Sequence, residues 1–221
     1  MDFQSAIRQL AISAPAILVA ITFHEVAHGY IAYRLGDPTA KVMGRLTINP
    51  IAHIDPVGTV LMPILLLIFT QGQFVFGYAK PVPINPMNFR NPRKGMALSA
   101  AGGPLTNIAL ALGSVIVFKL VLAVSVLAPD SVAEAVLRPL TLMLASSVTI
   151  NIVLAAFNLI PIPPLDGGRI AVGLLSERQA MAFSRLEPYG MIIIIVLIAT
   201  GMARIFISPI VKLLSVLVGL F

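Results

Sequence analysis

The stretch Phe23-His24-Glu25-Val26-Ala27-His28-Gly29 reads H-E-x-x-H inside a long apolar run. On a helix each residue turns by about 100°, so His24 and His28 fall about 40° apart on one face, one turn above the other. Two imidazoles so placed reach one metal ion. Glu25 points to the side of that pair, poorly placed as a third ligand but able to act as general base on a water at the ion. The arrangement is that of a zinc hydrolase. The competing reading is an unmetallated polar patch, because five residues with three fixed letters recur by chance. Inside hydrocarbon that alternative weakens: an ionisable group at the centre of a membrane helix costs about 2.5–3.5 kcal/mol on insertion scales, so Glu25 and the two histidines need partners.

The surroundings of the motif are those of a membrane. Of the 221 residues 58% are hydrophobic and 11% charged, against about 25% charged in ordinary soluble domains. A soluble zinc protease is excluded. Several apolar runs approach or exceed the roughly 20 residues that span a bilayer, and the connections between them are too short to fold separately. We therefore expect one membrane-embedded domain over 1–221. The net charge of +6 is spread over the loops and forms no dense basic run with interleaved aromatics, which argues against nucleic acid as a partner and for membrane orientation. Cysteine is absent, so a metal must be held by His, Asp, Glu or Asn. The apolar start resembles a signal peptide, but it continues into the polar motif without a cleavage site and is read as retained.

The expected architecture is all-α and polytopic, with about four full transmembrane helices and a re-entrant hairpin carrying a short β-like segment. The first helix is expected over Gln9 to Leu35, ended by Gly36-Asp37-Pro38. A turn-rich stretch from Asn49 to Gly58 leads to an apolar run, Thr59 to Phe69, broken by Pro63. Phe74 to Pro83 reads as extended, with prolines that suit only an edge strand or a loop. Helices are expected from Lys94 to Leu127, with Pro104 kinking or breaking the first third, and from Val136 to Leu159. Ala171 to Glu187 reads as short-helical at the membrane surface. Pro188 to Phe221 reads as one span and, past Pro209, a continuation or an interfacial helix.

A hydrolytic zinc site wants three protein ligands and an open fourth position. Asp166, after a proline-rich helix end and before Gly167-Gly168, is the leading candidate for the third; His53 is its rival. Three motifs then stand together in order: His24-Glu25-Val26-Ala27-His28, Gly103-Pro104-Leu105-Thr106-Asn107, and Asn158 through Gly167. They resemble the site-2 protease family of intramembrane zinc metalloproteases, in a short form without a PDZ or nucleotide-sensing domain. The resemblance implies that His24, His28 and Asp166 hold Zn2+, that Glu25 activates a water, and that Asn107 lies near the site. Asn107 could donate to a developing oxyanion or to the substrate backbone; alternatively it makes an interhelical hydrogen bond that holds the bundle. Gly102 and Gly103 are expected to allow close helix approach.

If one ion is shared by the first helix and the helix leaving through Asn158, those two run in the same direction and the Lys94 helix runs opposite. The segment from Gly36 to Arg93 must then cross the membrane an even number of times, which a re-entrant hairpin satisfies. Arg34, Lys41, Arg45, Lys80, Arg90, Arg93, Lys94, Arg169, Arg178 and Arg185 collect on the motif-exit side, so by the positive-inside rule that side is cytoplasmic. The expectation is an integral protein of a prokaryotic inner membrane, with its active site nearer the cytoplasmic face. Its partners are the bilayer and a transmembrane protein substrate, cut within or near the membrane. The stretch Phe74 to Val82 is a candidate for pairing with an unwound substrate by strand addition; alternatively it merely packs the hairpin. A metal transporter is disfavoured because three histidines leave no relay of ligands at several depths, and a noncatalytic zinc-binding member because Glu25 and all ligands are present.

Overall fold

Three helices in the computed structural model, which describes residues 3–69 and 77–217, are long and apolar enough to cross a membrane. These are α1 (Phe3–Arg34), α3 (Pro92–Ser125) and a continuous helix over Asp130–Asn158 whose main part is α4 (Arg138–Asn158). Between the first two lies α2 (Met62–Phe69); after α4 come α5 (Asp166–Leu174), α6 (Glu177–Ser184), α7 (Glu187–Ala199) and α8 (Ala203–Leu217). A fourth crossing exists only if α6 and α7, bent by 64° at their junction, count as one broken span. Large apolar side chains such as Leu105, Ile116, Leu120 and Ile192 are exposed on the outer faces. A water-soluble protein would not leave so many uncovered; in an integral membrane protein they meet lipid.

The bundle is joined along stripes spaced four residues apart. On α1 the stripe of buried positions at this spacing is Ala16, Ala20, His24, His28 and Ala32; on α3 it is Gly95, Ser99, Gly103, Asn107, Ala111 and Val115. Rows at this spacing form the ridges by which helices interdigitate, and small residues along them let backbones come close where lipid gives no hydrophobic drive. Pairs across the interfaces fix direction. His28 meets Ser99 while His24 meets Asn107, so α1 and α3 are antiparallel. Ser13 meets Ser146, and the chain leaving α4 returns to His24 through Asp166, so α1 and α4 run the same way. An apolar core of Ala111, Val115, Val148, Ile152, Ala155, Ala156 and Leu214 closes α3, α4 and α8 beside the polar stripe.

Pro104 does not break α3, contrary to the expectation. It is fully buried at the crossing, where neighbouring helices confine the backbone whose hydrogen bond it deletes. The break expected near Pro209 lies earlier: Gly201, at φ +73°, ends the turn after α7, and α8 runs through Pro209. The part of the β-like segment from Phe74 to Phe76 falls outside the described residues, and residues 77–85 form no strand. Pro81 and Pro83 have no N–H to give to a ladder. Isolated bonds serve instead: Tyr78 N–H donates to Gly58 O, Lys80 N–H donates to His53 O, and Thr59 Oγ1 donates to Tyr78 O. The returning chain is thereby laid against the turns after Asn49.

Candidate metal centre

His24 and His28 are both buried on the α1 face that meets α3, and α3 can lie there only because position 103 is glycine. A Cβ on Gly103 would sit 2.5 Å from His28 Nε2 and closer still to His24 Cε1. Asp166 joins the two histidines as the first residue of α5. Gly167 and Gly168 let that helix start tuck under the turn before it; a Cβ on Gly167 would strike Leu159 O and Ile160 O, and one on Gly168 would strike the Pro163 backbone. Both glycine pairs therefore serve close approach.

Each imidazole has its Nδ1 engaged away from the centre. His24 Nδ1 lies 2.6 Å from Asn107 Oδ1, and His28 Nδ1 lies 2.8 Å from Ser99 O. Both partners accept, so both Nδ1 atoms carry the proton and both Nε2 atoms present lone pairs. Those lone pairs face each other and the carboxylate: His24 Nε2 to His28 Nε2 is 3.0 Å, and Asp166 Oδ2 lies 3.2 Å from the first and 3.3 Å from the second. Asp166 Oδ2 is buried with no hydrogen-bond donor. Three converging lone pairs repel one another unless a cation or a proton sits among them. Ligand atoms about 2.0–2.1 Å from a tetrahedral zinc are separated by about 3.3 Å. The observed spacings match that figure, so the donor set fits a zinc ion, and these three side chains form the one group among the described residues that could hold a metal.

The other sequence-derived candidates separate clearly. Glu25, next to His24 on α1 and half-buried, accepts from Val82 N–H at 2.8 Å. Val82 itself is buried against Gly29, one turn further along α1, where a Cβ would lie 2.8 Å from Val82 Cγ1. Asn107 is completely buried; its Oδ1 meets His24, and its amide donates to Asn151 Oδ1 at 2.8 Å and to Ala20 O at 3.3 Å. His53 stands apart from the cluster, donating from Nε2 to Thr47 O at 2.8 Å.

The loop that carries Val82 is tied to the exit of α1 by Asp37. This carboxylate is wholly buried and accepts from Thr39 N–H and Oγ1, from Asn85 N–H at 2.7 Å and from Asn88 Nδ2 at 2.7 Å. Burial pushes its proton affinity up, but the bonds from Thr39, Asn88 and Asn85 more than offset that and hold the carboxyl below its ordinary range. Arg45 Nη2 adds a bond to Lys80 O at 2.8 Å.

Comparison with known proteins places this geometry. A family model described as Peptidase family M50 matches residues 12–201. The chain belongs to this family. It is the family of the site-2 proteases, which the three motifs resemble. Over 193 residues the M50 chain is 38% identical to "Putative zinc metalloprotease YwhC" of Bacillus subtilis, covering 87% of itself and 82% of that protein. It is 25% identical over 187 residues to "Putative zinc metalloprotease Rip2" of Mycolicibacterium smegmatis, and 30% identical over 180 residues to the Rip2 of Mycobacterium tuberculosis. It spans 64% and 63% of those two Rip2 chains, a little under two thirds. No solved structure matches it.

Within the M50 chain, sequence reasoning missed Ser99 and Asn151. Ser99 holds His28 twice, its carbonyl accepting from Nδ1 and its Oγ donating to His28 O at 2.9 Å. A signal for Ser99 was present: it lies four residues before Gly103 and eight before Asn107, on the same helical face. Asn151, an amide inside an apolar helix, carried the same kind of signal.

Proposed function

We propose that the protein is a zinc endopeptidase that cuts a transmembrane segment of another membrane protein within or near the bilayer. The observation that carries this reading is the convergence of His24, His28 and Asp166 around one point, with Glu25 beside them, the histidines and Glu25 lying on a helix long and apolar enough to cross a membrane. His24 Nε2, His28 Nε2 and Asp166 Oδ2 would hold the ion. Bound zinc would supply Lewis acidity toward a peptide carbonyl and make water a better proton donor.

The chain's own groups then divide the remaining work. Glu25 takes a proton from the attacking water and later delivers it to the leaving amine. The bond from Val82 N–H to Oε2 leaves Oε1 to carry that proton. Asn107 and Ser99 hold the two imidazoles in the form that offers Nε2 to the ion. Both amide hydrogens of Asn107 are engaged, so orienting His24 is the role its contacts favour over donation to an oxyanion.

A helical substrate hides its carbonyls in its own hydrogen bonds and must unwind before it is cut. The irregular chain around residues 77–85 runs beside Glu25, which supports its use as a template for the unwound segment. In this reading residues 1–221 act as one membrane-embedded unit with four crossings, the bent pair α6 and α7 making the fourth, and the site opens toward the cytoplasmic face of a bacterial inner membrane. The bacterial relatives and the distribution of basic residues support that placement.

The test is zinc content. The purified protein should carry one zinc per chain, and Asp166→Ala should lose most of it while remaining helical. Full zinc occupancy in Asp166→Ala would remove the basis of the proposal.

A further inference from the structure

We infer that Asn151 is a positioning residue for the metal site, acting through Asn107 to set which nitrogen of His24 is protonated. The inference rests on the zinc reading above and extends it to a residue two hydrogen bonds away from the ligand His24.

An asparagine side chain can be turned over by 180° with almost no change in shape, exchanging its donor and acceptor ends. Which end of Asn107 faces His24 therefore matters. With Oδ1 toward Nδ1, as found at 2.6 Å, His24 is protonated at Nδ1 and presents a lone pair at Nε2. With the amide nitrogen there instead, Nδ1 would have to accept, and the ring proton would move to Nε2, into the middle of the ligand cluster. That form cannot bind a cation through Nε2.

The orientation is dictated by groups that can only accept. Asn151 Nδ2 donates to Ser147 O at 2.8 Å, a main-chain carbonyl one turn back on α4. A carbonyl never donates, so Asn151 must direct its amide nitrogen there and its Oδ1 toward α3. Asn107 must then answer with its own Nδ2, at 2.8 Å, which leaves Oδ1 for His24. Ala20 O pulls in the same sense, but its bond to Asn107 is 3.3 Å long. The sequence of contacts Ser147 O, Asn151, Asn107, His24 is thus a one-way chain of donors and acceptors across α4, α3 and α1. Asn107 and Asn151 are both completely buried, so no bulk water substitutes for a missing link.

Two substitutions separate this role from simple packing. Asn151→Leu keeps the volume and removes the acceptor. Asn151→Asp keeps the acceptor toward Asn107 and, neutral in this buried place, can still donate to Ser147 O. The ring nitrogens are read by NMR on zinc-free protein labelled with 15N-histidine, where the chain's three histidines give three resolvable sets. Zinc affinity is read in parallel by chelator competition. Wild type and Asn151→Asp should show the Nδ1-protonated form at His24, with affinities within about threefold of each other. Asn151→Leu should show a mixture of forms and bind zinc roughly tenfold more weakly, the low end of the 10–100-fold range for such partners. If Asn151→Leu does not fold, Asn151→Ser, too short to reach Asn107, should give the same mixture. An unchanged His24 form and unchanged affinity in the variant lacking the acceptor would overturn the inference. Wild type that binds no zinc would instead defeat the metal reading, and the tautomer spectra would still decide the role of Asn151.

Discussion

Replacing Gly103 by alanine should damage the site through one methyl group. The added Cβ would lie 2.5 Å from His28 Nε2 and nearer to His24 Cε1. Nonbonded heavy atoms settle at about 3.5 Å, so the rings and the new methyl must separate by about 1 Å. Neither side yields readily, because each ring is pinned at Nδ1 and the methyl belongs to the backbone of α3. Metal ligation tolerates about 0.2 Å in ligand position. The displacement is several times that allowance, and a misplacement of about 1 Å near reacting groups lowers rates by about 100-fold. We expect Gly103→Ala to bind zinc at least tenfold more weakly and to lose about 1–3 kcal/mol of stability to overpacking. Gly102→Ala is the control. Its Cβ would meet the end of the Ile31 side chain at 2.6 Å, which can swing away, and would press on the Ala27 main chain only at 3.2 Å, needing a shift of a few tenths of an ångström and touching neither imidazole. Chelator competition and thermal melting of both variants in detergent read the two quantities. Zinc affinity in Gly103→Ala equal to that in Gly102→Ala would refute the reasoning.

Val82→Pro removes the N–H that holds Glu25 and leaves the three ligand side chains alone; it should abolish most cleavage while zinc content stays at the wild-type level, and undiminished cleavage would end both the Glu25 role of Val82 and the template role of its loop. Asp37→Asn replaces a buried acceptor of four hydrogen bonds and should lower stability by about 2 kcal/mol at neutral pH. Its pH dependence has a defined sign. The folded carboxyl is held below its ordinary range, so its contribution is fully present above the unfolded value of about 4 and is lost as pH falls below that. The difference in melting temperature between wild type and Asp37→Asn should therefore be constant from pH 7 to about 4 and shrink under more acid conditions; a difference that widens in acid would contradict the assignment.

The centre was legible in the sequence because its chemistry is local. H-E-x-x-H places two histidines on one face by helical periodicity alone, and the Asp-Gly-Gly turn, common by itself, pointed to Asp166 as the third member of the cluster once the other two motifs stood beside it. The long helices were equally visible, since a span of about 20 apolar residues needs no tertiary information. What was not visible depended on contacts between distant segments. Pro104 reads as a breaker from its own stereochemistry, and only its burial at the crossing explains why α3 runs on. The break at Gly201 rather than Pro209 turns on a left-handed glycine, which a neighbouring proline obscured. Val82 could be proposed as an extended residue near substrate; that its N–H meets Glu25 depends on the Asp37 anchor some 45 residues earlier in the chain. Ser99 and Asn151 carried a signal in their polarity and position, but what they hold is set by partners on other helices.

The most direct test of the central claim is cleavage of a panel of tagged single-span proteins by the purified, zinc-loaded chain in liposomes, beside Glu25→Gln. The account predicts products from wild type and none from Glu25→Gln, with equal zinc in both. Equal cleavage by the two proteins, or no product from any panel member with zinc fully bound, would contradict it.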